Sequence, residues 1–335
     1  LMLFSGESSE HDVSIMSARN VYEAIDTMKF NVLLGYIDTA GQWYVLREFD
    51  EYRTLDAARQ LLPKLGSAGF MGGDEAIHPD VLLPILHGKN GEDGSVQGLA
   101  QLLHIPIVGC DMTSSAAGMD KVIAKRIAAS VGVPVVPYRV YRRGDEAPTY
   151  GTLRTELGDV LFVKPSRAGS SVGVSKVRSR DELARALDLA LESDETVLIE
   201  RALDVRELEV AALGNPPACQ ISVVGEILPG EEFYSYDDKY SSASSSSVQL
   251  PADLPVKISE HIRGAARTIY TELGCRGLAR IDFFLTDTGE VYFNEINTLP
   301  GFTNISMYPK LWQQAGISYS DLITRLVETA LEPHE

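Results

Sequence analysis

The stretch from Gly277 to Gly301, GLARIDFFLTDTGEVYFNEINTLPG, constrains this chain more than any other. It reads as a β-hairpin. Ile281, Phe283 and Leu285 alternate with Arg280, Asp282 and Phe284; Asp287-Thr288-Gly289 is a turn signal; Val291 to Asn297 alternates again. Folded back about that turn, the hairpin is expected to place Asp282 opposite Glu295 and Arg280 opposite Asn297. Cross-strand partners have Cβ atoms about 4.5–5.5 Å apart, and like charges placed there repel. Two facing carboxylates on well-formed strands therefore require a cation between them. Glu295 and Asn297 are two apart and share a face. The site offers oxygen ligands only, which suits Mg²⁺ or Mn²⁺ rather than zinc. A solvent-facing sheet edge without function is the other reading, and the strongly apolar flanks argue against it.

Length bounds the rest. A chain of 335 residues is expected to form two or three domains of roughly 100–150 residues each. The longest apolar runs, such as Val81 to Leu86, are too short to span a membrane. The start, Leu1-Met2-Leu3-Phe4, has no basic n-region and reads as a first β-strand rather than a signal peptide. Cys110, Cys219 and Cys275 are isolated, form no metal-ligand spacing and suit buried free thiols in a reducing cytoplasm. A net charge of −17 argues against nucleic acid or an anionic membrane surface as partner. Any phosphate ligand must then be met by a local island of Lys and Arg.

Three blocks follow along the chain. In residues 1 to about 110, strands at Leu1 to Phe4, Phe30 to Tyr36 and Val81 to Leu86 alternate with helical patterns such as Ser17 to Met28, which predicts a parallel sheet. The second block, about 111 to 205, opens with a helix at Lys121 to Val131. Strands follow at Val135 to Val140, Val160 to Lys164, Val172 to Val177 and Thr196 to Glu200, with a helix at Asp181 to Glu192. The third block, about 206 to 335, holds a strand at Glu207 to Leu213, a helix at Ile258 to Leu273, the opening hairpin and a closing helix near Tyr319 to Leu331. Composition alone makes Ser241 to Ser247, SSASSSS, a flexible linker. The aromatic segment Phe233 to Tyr240 before it argues for a mobile loop instead.

Several loops have the character of ligand sites. Lys164 to Gly173, KPSRAGSSVG, lies between two strands, where backbone N–H groups and hydroxyls can turn toward an anion. It is not a Walker A loop, since no Gly-Lys-Ser/Thr opens a helix. An ordinary hairpin turn is the plain reading; Lys164 at the end of an apolar strand favours the anion. Lys121 at a helix start suits either a phosphate or simple solvation. Glu200 ends a strand, and of Glu207 and Glu209 in the next strand at least one is a candidate buried acceptor. His87 to Gly94, HGKNGEDG, follows a strand and leads into a helix, which marks an anion or carboxylate site. His87 itself fits a ligand contact or a structural hydrogen bond equally well. Ser5 to Ser14, SGESSEHDVS, is the same kind of element after the first strand. Its Glu10 suits a substrate amine or a helix-start charge favoured by the dipole.

The order of these motifs is specific. SSEHDVS, HGKNGEDGSVQG, the MDK helix start, FVKPSRAGSSVGV, VLIE, EFYSYDDKY, GLARIDFF and NEINTLPGFTNISMYP together resemble the D-alanine–D-alanine ligases of the ATP-grasp superfamily, over nearly the whole chain. The resemblance implies an α/β protein of three domains: an N-terminal parallel-sheet domain (1–110), a central domain (111–205), and a C-terminal domain (206–335) with the metal site and a mobile lid at 233–247. ATP would lie between the last two. It further implies ATP-dependent joining of two D-alanines through an acyl phosphate, for peptidoglycan, by a cytoplasmic homodimer.

Roles carried over by the resemblance fall on particular residues. Lys121, Lys164 and Lys239 look like the phosphate-binding cations. Glu200 and the backbone near Leu203 resemble the adenine contacts, Glu207 resembles the ribose contact, and Phe284 joins them as a nucleotide-binding residue. Asp282, Glu295 and Asn297 resemble ligands of two Mg²⁺ or Mn²⁺ ions, with Glu295 bridging. Glu10 looks like the binder of the first D-alanine's ammonium, with His87 nearby in the substrate site. Ser170 or Ser171, with Tyr240, resembles the network tying the lid to Glu10. Arg280 and the N–H of Gly301 look like oxyanion donors, and Ser306 like the hydroxyl that receives the second carboxylate. The family usually has Gly-Gly where this chain has Ser5-Gly6, and SSASSSS is unusual for the second half of the lid. Relatives that join D-alanine to D-lactate or D-serine typically change the lid tyrosine or carry Arg at the position of Met307. Tyr240 and Met307 thus favour D-alanine as the second substrate.

Overall fold

A computed structural model of the chain describes residues 1–55, 59–170, 172–228 and 247–332. Ser171, Lys239, Tyr240 and all of the expected lid except Ser247 lie outside the described residues.

The first block contains β1 (Met2–Ser5), α1 (His11–Ala24), β2 (Leu34–Ile37), β3 (Trp43–Leu46), β4 (Leu61–Lys64), β5 (Gly69–Gly72), β6 (Glu75–Ile77), β7 (Leu83–Leu86) and α2 (Ser95–Leu103). Its main sheet has the order β3-β2-β1-β7. β1 runs parallel to both neighbours and β3 is an antiparallel edge. β1, β2 and β7 are buried along their whole length, as strands covered on both faces must be. The antiparallel sheet β4-β5-β6 sits in a Gly- and Pro-containing stretch that gives little strand signal. Helix α1 begins at His11, six residues before the expected Ser17, because serines rather than apolar residues occupy part of its buried face. Ser14 and Ser17 are fully buried: Ser14 Oγ donates to the Ile85 carbonyl and Ser17 Oγ lies 3.0 Å from His87 Nε2.

The second block contains α3 (Met112–Met119), α4 (Lys121–Ser130), β8 (Tyr138–Arg142), α5 (Tyr150–Leu157), β9 (Leu161–Pro165), β10 (Ser175–Val177), α6 (Arg180–Ser193) and β11 (Thr196–Arg201). Its sheet, β10-β9-β11-β8, is antiparallel throughout. Ser179 caps α6 by accepting from Glu182 N–H, and Leu183, Ala186, Leu187 and Ala190 bury its apolar stripe. The loop KPSRAGSSVG therefore joins two antiparallel neighbours, β9 and β10.

The third block contains β12 (Val205–Leu213), β13 (Gln220–Ile221), β14 (Gly225–Leu228), β15 (Ser247–Gln249), α7 (Val256–Glu272), β16 (Leu278–Thr286), β17 (Val291–Asn297), α8 (Met307–Gln314) and α9 (Tyr319–Ala330). The sheet order is β15-β14-β12-β16-β17, with β13 on β12. One face presents Leu208, Val210, Ile281, Phe283 and Phe293 to Ile262, Ala266, Ile269 and Tyr270 of α7. The charged residues occupy the other face. Phe302, Leu311 and Trp312 share a core with Phe4, Val21 and Ile85, which docks the first block on the end of the chain. Among the described residues no helix is long and apolar enough to cross a membrane.

The hairpin β16-β17 keeps the expected pairs, Asp282 with Glu295 and Arg280 with Asn297. It does so by a route that symmetry about the turn misses. Near the turn Leu285 pairs with Val291 and Phe283 with Phe293, and the register shifts between Asp282 and Phe283. Asn294 is the extra residue of a β-bulge. In an unbroken ladder Glu295 would face Ile281 on the apolar side; the bulge turns Glu295 and Asn297 onto the charged face and Ile296 into the core.

Candidate active site

Three carboxylates stand in one row across three strands. Glu209 on β12 pairs with Asp282 on β16, and Asp282 pairs with Glu295 on β17. Arg280, two residues from Asp282 on the same face, binds it through both oxygens, Nε to Oδ1 at 2.8 Å and Nη2 to Oδ2 at 2.7 Å. Its Nε also lies 3.0 Å from Glu209 Oε2. Burial opposes charge on this guanidinium, but Asp282, Glu209 and Glu295 hold its pKa well above the ordinary value. Asn297 Nδ2 donates to Asp282 Oδ2 at 3.2 Å.

The far end of the row is met by Lys121, whose Nζ is 3.3 Å from Glu295 Oε2. The same ammonium donates to the Ala168 carbonyl at 2.8 Å, inside the Gly/Ser loop. Asp120 caps α4 by accepting from the N–H groups of Val122 and Ile123, and it also accepts from Ser166 Oγ at 2.8 Å. Cap and loop are thereby one unit, with Lys121 as the bridge between the loop and the acidic row. The base of the loop is clamped: Arg167 Nη2 donates to Asp194 Oδ1 at 2.7 Å and its backbone N–H to Oδ2 at 2.8 Å.

Glu200, at the end of β11, is 3% exposed and lies between two ammonium groups. Lys125 Nζ is 2.8 Å from Oε1 and Lys164 Nζ is 2.5 Å from Oε2. Burial would raise this carboxyl, but Lys125 and Lys164 outweigh it and hold its pKa below the ordinary range. Burial lowers the Lys125 ammonium, opposed by Glu200. Leu203 lies in the turn between β11 and β12. Glu207 pairs with Phe284 across β12 and β16, two residues along from the Glu209–Asp282 pair, so both are on the face of the acidic row.

On the side of the first block, Glu10 is the residue before α1 and is 7% exposed. Ser170 Oγ donates to its Oε1 at 2.5 Å, joining the first block to the Gly/Ser loop. A Cβ at Gly88 would come 2.9 Å from Glu10 Oε2, so the carboxylate is hemmed in by bare backbone. His87 is buried, with Ser17 Oγ at 3.0 Å from Nε2 and Glu92 Oε1 at 3.8 Å from Nδ1. Ser5 takes the left-handed conformation, φ 77°, that glycine adopts more easily. Its hydroxyl lies 2.7 Å from His11 Nδ1.

Beyond β17, Gly301 and Ser306 are in close contact: a Cβ on Gly301 would lie 2.7 Å from Ser306 Oγ. Thr303 N–H donates to that hydroxyl at 3.0 Å. Met307 does not join this group. It is 4% exposed and packs in the core beside Gly225 and Leu311.

Two residues of the site are not marked as functional by the sequence alone. Glu209 is one of the pair Glu207 and Glu209, and its place in the row follows only from the register with Asp282. Lys125 carried a signal, the Lys121-x-x-x-Lys125 spacing that puts both lysines on one helix face.

Asp282, Glu295 and Asn297 offer hard oxygen donors. Among the described residues no three His, Cys, Asp or Glu form a cluster able to hold a metal by themselves. Mg²⁺ keeps several waters and is bound through one or two carboxylates plus substrate phosphates, a demand that Asp282 and Glu295 suit by their chemistry. Lys121 stands beside Glu295, so the donor set is compatible with a metal ion that also carries phosphate.

A family model described as "D-ala D-ala ligase N-terminus" matches residues 1–110, and one described as "D-ala D-ala ligase C-terminus" matches residues 127–328. The D-alanine--D-alanine ligase A of Escherichia coli (strain K12) is 44% identical over 348 residues, 99% of this chain and 95% of that protein. The D-alanine--D-alanine ligase of Shouchella clausii is 44% identical over 351 residues, 100% of this chain and 95% of that protein. Among solved structures, the VanG D-Ala:D-Ser ligase from Enterococcus faecalis superposes with a TM-score of 0.89 at 36% identity, over 98% of each chain. The D-alanine-D-alanine ligase from Coxiella burnetii gives 0.88 at 32%, over 98% of this chain and 92% of that one. An antiparallel sheet bearing Lys164 and Glu200 beside another bearing Asp282 and Glu295 is the arrangement of an ATP-grasp ligase. The chain belongs to the D-alanine–D-alanine ligase family.

Proposed function

We propose that this chain joins two D-alanine molecules to D-alanyl-D-alanine at the expense of ATP, for peptidoglycan precursors. The observation that carries the reading is the row Glu209–Asp282–Glu295 with Arg280 and Lys121 set against it. Asp282, Glu295 and Asn297 would hold the Mg²⁺ or Mn²⁺ ions, which supply charge neutralisation for phosphoryl transfer. Lys121 and Lys164, with Lys239, neutralise the phosphates. Glu200, the Leu203 backbone, Glu207 and Phe284 take the nucleoside. Glu10, steadied by Ser170, receives the ammonium of the first D-alanine and so aims its carboxylate at the phosphates; Ser171, Tyr240 and His87 complete that side.

A carboxylate is a poor electrophile, so it must first become an acyl phosphate, a transfer governed by positioning and charge rather than by a protein nucleophile. When the second amine attacks, charge develops on the carbonyl oxygen, and fixed donors stabilise it most. Arg280 is fixed by Asp282 and Glu209, and the Gly301 N–H is the second donor in this reading. Ser306 receives the carboxylate of the second D-alanine.

We place the protein in the cytoplasm, in keeping with free Cys110, Cys219 and Cys275, and read it as a homodimer with blocks 1–110, 111–205 and 206–335 as its domains. Exposed Leu102, Met112 and Ile123 on three successive helices support a self-association surface. A second reading, transfer to D-serine, is favoured by the likeness to VanG. A coupled ADP-release assay with D-alanine, D-serine, D-lactate and the L-enantiomers separates the two. D-alanine alone should support Mg²⁺-dependent turnover near neutral pH. More D-Ala–D-Ser or D-Ala–D-Lac than D-Ala–D-Ala would overturn the assignment.

A further inference from the structure

Lys125 is the fully buried ammonium of the site. It lies four residues after Lys121 on α4 and has 0% exposure. Its Nζ is 2.8 Å from Glu200 Oε1 and 3.5 Å from the carbonyl of Phe293, the residue before the bulge. Lys164 holds the other oxygen of Glu200 at 2.5 Å. One buried carboxylate thus has two cations, but their surroundings differ. The Lys164 side chain is 11% exposed and ends β9 beside the Gly/Ser loop; Lys125 is enclosed by α4, β11 and β17. A buried carboxylate that loses its only counter-ion is strongly disfavoured. A lysine bound to such a carboxylate cannot be released to another anion unless a second cation stays behind.

We propose that Lys125 is a positioning residue that keeps Glu200 neutralised so that Lys164 can leave it for a phosphate of ATP. The proposal rests on the assignment of Lys164 to phosphate given above. Lys125 makes no contact with ATP in this scheme. It acts through the freedom of Lys164.

Two probes read the effect by titration calorimetry: a non-hydrolysable ATP analogue with Mg²⁺, and adenosine, which has no phosphate. In Lys125→Met, Lys164 stays on Glu200, and the analogue should bind about tenfold more weakly, the loss of roughly one charge-assisted hydrogen bond. Adenosine affinity should be unchanged. Adding Glu200→Gln removes the charge that detains Lys164, so Lys125→Met/Glu200→Gln should bind the analogue as well as Glu200→Gln alone. Equal weakening for adenosine and the analogue in Lys125→Met overturns the proposal, as does a further loss in the double variant relative to Glu200→Gln. Where Lys125→Met fails to fold, the comparison within the Glu200→Gln background decides alone. Lys164→Met tests the underlying reading separately: unchanged analogue affinity there would refute the phosphate role of Lys164 itself.

Discussion

Glu295 faces Asp282 because Asn294 is bulged out of the ladder between Glu295 and Phe293. One displaced residue thereby moves Glu295 from an apolar-facing position onto the charged face while the core pairs Phe283–Phe293 and Leu285–Val291 keep their register. β-Bulges serve in this way to re-aim a side chain next to a site. The cost is a local break in strand pairing; the gain is three carboxylates in line, held by Arg280 at one end and Lys121 at the other.

Arg280 is the group on which that row depends. Its planar fork matches Asp282 through two parallel bonds, which lysine cannot reproduce. Arg280→Lys should lower kcat by about 10²–10³, the usual effect of losing one oxyanion donor, with a smaller change in KM for ATP. Steady-state kinetics with ATP and D-alanine varied separately would check this; a kcat within threefold of the wild type (~0.7 kcal/mol) would refute the role.

Gly301 is required by Ser306. A methyl group there would lie 2.7 Å from Ser306 Oγ, so Gly301→Ala must push the hydroxyl aside. The expected result is a rise of about tenfold or more in KM for the second D-alanine, in line with one lost hydrogen bond to a charged group, at unchanged KM for ATP. Equal changes in both would point to general loss of structure instead.

Asp194 gives the Gly/Ser loop an acid-sensitive anchor. Burial would raise its carboxyl, but the Arg167 side chain and the N–H groups of Thr196 and Arg167 outweigh burial and lower its pKa. A lowered carboxyl pKa stabilises the fold above its ordinary value of 3.8, and that contribution is lost as pH falls through the lowered value. Asp194→Asn should therefore cost about 1–3 kcal/mol near neutrality. The difference between variant and wild type should narrow below pH 3.8, as followed by thermal melts across pH. A difference constant from pH 7 down to pH 3 would contradict the linkage.

Much of the site is legible in the chain because the hairpin writes its chemistry in alternation. Arg280, Asp282, Glu295 and Asn297 stand together as their spacing implies, and Lys164 and Glu200 end neighbouring strands. What the pattern hides has physical causes. The bulge at Asn294 is invisible to a period-two reading: symmetry about Thr288 gives the observed pairs near the turn, and the extra residue is what brings Glu295 opposite Asp282. Helix α1 is partly concealed by Ser14 and Ser17, polar residues that are buried because their hydroxyls find partners in another segment. The burial of Lys125 comes from β11 and β17, which its place in α4 does not foretell.

The acidic row is tested most directly at Glu295. Glu295→Gln keeps the size of the side chain and an acceptor oxygen but removes the charge that Lys121 and a metal would share. Phosphate release dependent on D-alanine should be followed at saturating Mg²⁺, alongside the circular dichroism melt. The expected result is a loss exceeding the roughly 10–100-fold drop typical of removing even an outer partner of a metal, with cooperative melting preserved. Wild-type turnover by a folded Glu295→Gln protein would contradict a metal–triphosphate site on this row.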